Sequence, residues 1–102
     1  MNATQFQRVA KALSEPRRFE ILEAIAIKDE LSCKEVVEQF TVSQATISHH
    51  IKELVNAGLV EPRREGQYCY YRICPEVLAD YISELQRLVA VSTDKQKSRY
   101  LI

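Results

Sequence analysis

The sequence predicts a mainly α-helical single domain with one small β-hairpin. Three observations predict it. Apolar residues recur at helical spacing in five stretches, each bounded by capping or breaking residues. One later segment, rich in Val, Tyr and Ile, reads as a pair of strands. Only two glycines occur in 102 residues, so Gly58 and Gly66 each mark a break in the regular backbone.

The elements follow in order. Phe6, Val9, Ala10 and Leu13 fall on one face of a helix over 4–13. Ser14 is the expected N-cap of a second helix, with Pro16 in its first turn, where a missing N–H costs nothing. That helix runs to about Ile27, with Phe19, Leu22, Ile25 and Ala26 as its buried stripe. Lys28-Asp29-Glu30 is a polar break. Ser32-Cys33-Lys34-Glu35 is a capping box that opens a short third helix through Gln39, burying Val36, Val37 and Phe40. Ser43 caps a fourth helix ending at Ala57, and Gly58 takes the left-handed closing position. Residues 59–65 and 67–73 form the hairpin around Gly66. Pro75 starts a final helix carrying Leu78, Tyr81, Ile82, Leu85, Leu88 and Val89. The division expected is a folded domain over 1–91 and a polar, frayed tail over 92–102.

Composition narrows the function. A hydrophobic fraction of 46% is ordinary for a folded domain. No apolar run approaches the roughly 20 residues that span a bilayer. Residues 1–13 carry charges and amides where a signal peptide needs its apolar stretch, so a cytoplasmic protein with no membrane partner is expected. Three cysteines, Cys33, Cys69 and Cys74, do not make a disulfide framework and are expected as free thiols in a reducing compartment. Fourteen basic residues balance fourteen acidic ones. Nucleic-acid binding therefore depends on where the charge sits, not on its sum.

Two short helices joined by a tight turn and followed at once by a hairpin make a winged helix-turn-helix. In the fourth helix Ile47, Ile51, Leu54 and Val55 cluster on one side and face the core. Ala45, Thr46, His49, Lys52 and Asn56 lie outward or on the flanks. That outer face is small, polar and nearly uncharged, which suits an approach to base edges better than mere solvation. Ser43 and Gln44 stand at the helix N-terminus, where free N–H groups favour a phosphate; Gln44 also suits a paired hydrogen bond to adenine. In the hairpin, Arg63, Arg64 and Arg72 suit phosphate or minor-groove contact, and the interleaved tyrosines suit half-buried packing. His49 and His50 point about 100° apart on a helix and do not chelate one ion together.

The stretch Thr41 to Val60, TVSQATISHHIKELVNAGLV, resembles the recognition segment of the ArsR/SmtB family of bacterial winged-helix repressors. Leu13-Ser14-Glu15-Pro16-Arg17-Arg18 with Ile21-Leu22 resembles the family's LSDPTRLRIL opening, and REGQYCYYRI its GRxxYYRL wing. The resemblance spans about residues 5 to 90. It implies a homodimeric repressor that leaves double-stranded operator DNA when an inducer, here an unknown small molecule, binds. It places DNA contacts at Ser43, Gln44, Thr46, Ser48 and His49 and at the wing arginines, with Lys52 alongside.

Metal sensing is tested position by position. The thiolate type of the family has Cys-x-Cys at the third helix, where this chain has Ser32 and Lys34, with Cys33 between them. The zinc type uses Asp and His pairs on the last helix; Asp80 is present, but no histidine follows His50. No metal site and no cofactor are expected, and no catalytic residue. A thiol or metalloid switch using Cys33, Cys69 and Cys74 stays open as an alternative, as does a winged-helix module that binds protein instead of DNA. Phe6, Val9 and Leu13, with Leu78, Tyr81, Ile82, Leu85 and Leu88, offer more apolar surface than one small core covers, which points to a homodimer through the first and last helices.

Overall fold

The computed structural model describes the backbone of residues 1–100 and the side chains of 1–96. Helix α1 (Ala3–Leu13) starts at Asn2, whose side chain accepts the Gln5 N–H at 2.8 Å. Ser14 closes this helix instead of opening the next: its hydroxyl donates to the Lys11 carbonyl at 2.7 Å. The cap of α2 (Pro16–Lys28) is Glu15, which accepts the Arg18 N–H at 2.7 Å. A carboxylate at the positive end of a helix dipole does the work expected of the serine.

The buried stripe of α2 is Arg18, Ile21, Leu22 and Ile25, rotated one position from the expected one. Phe19 is 48% exposed and Ala26 is exposed. The stripe keeps an i, i+3, i+4, i+7 spacing, but its first member is an arginine, which hides its apolar stem from a hydrophobicity pattern. The helix ends at Asp29, whose positive φ of 69° turns the chain sharply. The polar break then gives way to a two-residue strand, β1 (Leu31–Ser32), that no periodicity announces.

Helix α3 (Cys33–Gln39) carries the full capping box: Ser32 Oγ accepts the Glu35 N–H at 3.1 Å and Glu35 accepts the Ser32 N–H at 3.0 Å. Val36 is buried, with Val37 and Phe40 packed at the core's edge. Helix α4 (Gln44–Asn56) is capped by Ser43. Gly58, at φ 82°, lets the Leu59 N–H return to the Leu54 carbonyl at 3.0 Å. The wing is β2 (Val60–Glu65) and β3 (Tyr68–Ile73), antiparallel, turning at Gly66, also at positive φ. β1 adds to β3, giving the order β1-β3-β2. Val9, Ile21, Ile25, Val36, Ile47, Leu54, Leu59 and Val60 are fully buried and tie the helices to the root of the wing.

Helix α5 (Pro75–Tyr100) rests its first turns on this body. Val77, Leu78 and Tyr81 pack on the core, and the Tyr81 ring lies 4.9 Å from that of Phe6. The residues expected as a frayed tail from Ser92 continue the helix to Tyr100. No Gly or Pro interrupts them, and the Thr93 hydroxyl donates back to the Val89 carbonyl at 2.9 Å. Leu101 and Ile102 lie outside the described residues. No described helix is long and apolar enough to cross a membrane.

Candidate nucleic-acid interface

The outer face of α4 stands clear of the body. Ser43, Gln44, Ala45, Thr46, Ser48, His49 and Lys52 are all exposed, whereas Ile47, Ile51 and Leu54 are buried beneath them. Ser43 spends its oxygen on the cap, accepting the Thr46 N–H at 3.2 Å and standing 2.9 Å from Thr46 Oγ1. Gln44 is the first residue of the helix, and its amide makes no hydrogen bond among the described residues. It is free for an external donor and acceptor.

His50 is not part of that face. It is buried against α2, with Nε2 3.7 Å from Glu15 Oε2. Burial lowers its pKa, and the Glu15 carboxylate opposes this only in part. Arg18 Nε and His50 Nδ1 are buried without a hydrogen-bond partner among the described residues. This cluster links the cap of α2 to the middle of α4.

The pleat of the wing divides its arginines. Arg64 pairs with Cys69 across the hairpin. It shares a side with Pro62, Cys69 and Tyr71 and lines a cavity of about 320 Å³ with Ser48 and Lys52 of α4. Arg63 and Arg72 point to the opposite side, since successive strand residues alternate. Arg63 is held there by carboxylates: its guanidinium meets Glu30 at 2.7 and 3.0 Å and Glu65 at 2.8 Å, and lies 4.9 Å from the Tyr70 ring centre. Those hydrogen bonds raise its pKa, Glu30 the more, and lower that of Glu30. Arg72 lies 3.8 Å from Asp29 at the root of the wing. Of the three arginines read from the sequence, only Arg64 joins the recognition helix; Arg63 acts as a strut between wing and body. Glu30, its partner, carries no sequence signal at such a separation.

The residues expected at a dimer face divide too. Val9 is wholly buried inside the protomer, and Leu13 and Leu78 pack on its core. Val9 and Ala12 share the side of α1 that packs on α2 and α4, so Val9 has no surface left to offer a partner. Phe6 and Tyr81 are half-buried against each other. Ile82, Leu85 and Leu88 remain open, joined by Val89 and Val91, which the sequence reading left out of the site. Leu88 is 56% and Val89 65% exposed. Among the described residues no group of three His, Cys, Asp or Glu side chains is placed to hold a metal ion.

Comparison with known proteins places this geometry. A model described as a helix-turn-helix domain matches residues 13–63. The chain is 36% identical over 96 residues to the arsenical resistance operon repressor of Staphylococcus xylosus, covering 94% of this chain and 88% of the relative. It superposes on an ArsR-like transcriptional regulator from Rhodococcus with a TM-score of 0.86, at 26% identity, over 93% of this chain and 89% of the other. A second solved structure, the homodimeric winged helix-turn-helix DNA-binding domain of a possible ArsR-family regulator from Mycobacterium bovis, gives a TM-score of 0.69. It is 35% identical over 89% of this chain and 80% of that one. With an exposed recognition helix, a wing beside it and these relatives, the chain belongs to the ArsR family of winged helix-turn-helix proteins, a family of transcriptional regulators and not of enzymes.

Proposed function

We propose that this chain is a homodimeric repressor that reads double-stranded operator DNA through the N-terminal half of α4. Gln44, Thr46, Ser48 and His49 face the base edges, the N-terminus of α4 at Ser43 meets a phosphate, and Lys52 and Arg64 hold the backbone alongside. Residues 1–91 carry both DNA binding and dimerisation, and the protein works in the cytoplasm. The observation that carries this reading is the face of α4: exposed, almost uncharged, with a free amide at its first turn and two cations at its flank. Relatives named as operon repressors support it, and a small-molecule inducer fits the same reading.

The test is fluorescence anisotropy on DNA taken from upstream of the protein's own reading frame, against random duplex of equal length. Gln44→Ala is expected to cost about 1–3 kcal/mol on the specific duplex and to leave random DNA almost unaffected. Equal losses on both duplexes contradict base reading by α4.

A further inference from the structure

Beneath α4 the fold brings together two thiols that the sequence keeps far apart. β1 and β3 pair at Leu31↔Tyr71 and Ser32↔Tyr70; Cys33 follows directly on the last paired residue of β1, and Cys69 stands next to that residue's partner, Tyr70, on β3. Cys33 opens α3 at this point, and its Sγ lies 3.8 Å from Ser48 Oγ on α4. Cys69 and Tyr71 line the cavity between recognition helix and wing that Ser48, Lys52 and Arg64 also line. The pKa of the Tyr71 phenol is pushed up to about 12, first by burial and then by Cys69 beside it, with Cys33 adding to the effect. One hydroxyl therefore senses both thiols. Both are free and half-buried. Cys74 stands apart at the foot of the wing, its thiol pushed up by burial and then by Glu61 and Glu76.

We propose that Cys33 and Cys69 form a paired-thiol modification site, oxidised by a peroxide to an intramolecular disulfide that loosens the grip of α4 and the wing on DNA. The regulatory half of this proposal rests on the DNA-binding reading above; the chemistry of the pair does not. Cys69 lines the cavity and attacks first. Its thiolate sulfur bonds one peroxide oxygen, the O–O bond breaks, and hydroxide leaves into the field of Lys52 and Arg64 to become water. The Cys33 sulfur then attacks the sulfenic acid, forming S–S, breaking S–O, and releasing a second water that carries the Cys33 proton. Two thiols lose two electrons and hydrogen peroxide takes them up. The new bond draws Cys33 off Ser48 and pins the first turn of α3 to the wing, so α4 and Arg64 no longer move to DNA as one surface.

The experiment treats the full-length reduced protein with stoichiometric hydrogen peroxide, blocks remaining thiols, and maps peptides by mass spectrometry, with operator anisotropy measured on the same samples. The expected product is a Cys33–Cys69 link within one chain, reversed by dithiothreitol, with operator binding about tenfold weaker. Cys74→Ser leaves this unchanged. Cys33→Ser stops the reaction at a Cys69 sulfenic acid that dimedone traps, and Cys33→Ala does the same without a hydroxyl. A link through Cys74, a link between chains, or equal oxidation of all three thiols overturns the pairing. A Cys33–Cys69 link that leaves operator affinity unchanged overturns the switch. A reduced protein that ignores operator DNA yet still forms the link sinks the DNA reading and leaves the thiol pair standing.

Discussion

Glu15 and His50 meet at 3.7 Å, the cap of one helix against the buried face of another. Each is tuned toward the form it holds at neutral pH. Glu15 has its pKa lowered, chiefly by the Arg18 N–H it accepts. His50 has its pKa lowered by burial, which favours neutral imidazole.

The sign of the pH dependence follows. A histidine depressed in the fold binds its proton more readily in the unfolded chain, so stability is full above the ordinary value of 6.5 and falls as pH drops below it. Glu15 adds a second loss below its ordinary value of 4.5. Urea midpoints are expected to fall from about pH 7.5 to about pH 5.5, and His50→Gln should flatten that limb. A midpoint that rises on acidification contradicts the buried neutral histidine.

The wing arginines should separate by function. Arg64→Ala is expected to weaken binding on every duplex and to flatten the salt dependence by about 0.9 in slope for each phosphate left without its cation. Arg63→Ala should act through the wing instead, by releasing Glu30 and Glu65. Faster amide exchange in β2 and β3 with a nearly unchanged salt slope would show this. Equal salt effects from the two variants would place Arg63 on the phosphate backbone.

The open side of α5 should be the dimer face. Leu88→Glu, at an exposed position, is expected to give a folded monomer in sedimentation at micromolar concentration, because a charge then sits where apolar surface must be covered. Val9→Ala should leave association intact but cost the protomer about 2 kcal/mol, since it empties part of the core. Wild-type protein sedimenting as a monomer would refute the interface.

Operator release by arsenite, cadmium, lead or zinc under reducing conditions is not expected. Ser32 and Lys34 supply no soft donor, and the Cys33–Cys69 pair falls short of the roughly three thiolates that arsenite takes and the four ligands of a structural zinc site. Release at low micromolar metal, abolished in Cys33→Ser, would show that the pair finds another ligand.

What the sequence made legible depends on how local each signal is. The capping box of α3, Ser43 at α4, Gly58 and the Gly66 turn all act within a few residues, and all stand where they were read. The exposed face of α4 was legible because period and polarity coincide there. Other features depend on partners that no local pattern reveals. Glu15 displaced Ser14 as a cap because the Ser14 hydroxyl is spent closing α1 on the Lys11 carbonyl, while the Glu15 carboxylate accepts the Arg18 N–H. Arg18 displaced Phe19 because its stem packs while its polar end reaches inward. Val9 looked available for a partner until α1 was laid across α2 and α4. Arg63 looked like a free cation until Glu30 met it across the sheet, and two residues of β1 are too few to carry any alternation.

The pairing of β1 with β3 also bears on the order in which this molecule assembles. Leu31 and Tyr71 stand about forty residues apart in the chain, whereas the hydrogen bonds within each helix are local. Closing that long loop costs entropy before any pairing energy is returned, so the helices are expected to gather first and the wing to be stitched down last. φ-values near zero at Leu31 and Tyr71, beside higher values in α2 and α4, would record that sequence of events. A nascent copy would then spend its final folding step acquiring the one surface that distinguishes a DNA reader from a plain helical bundle.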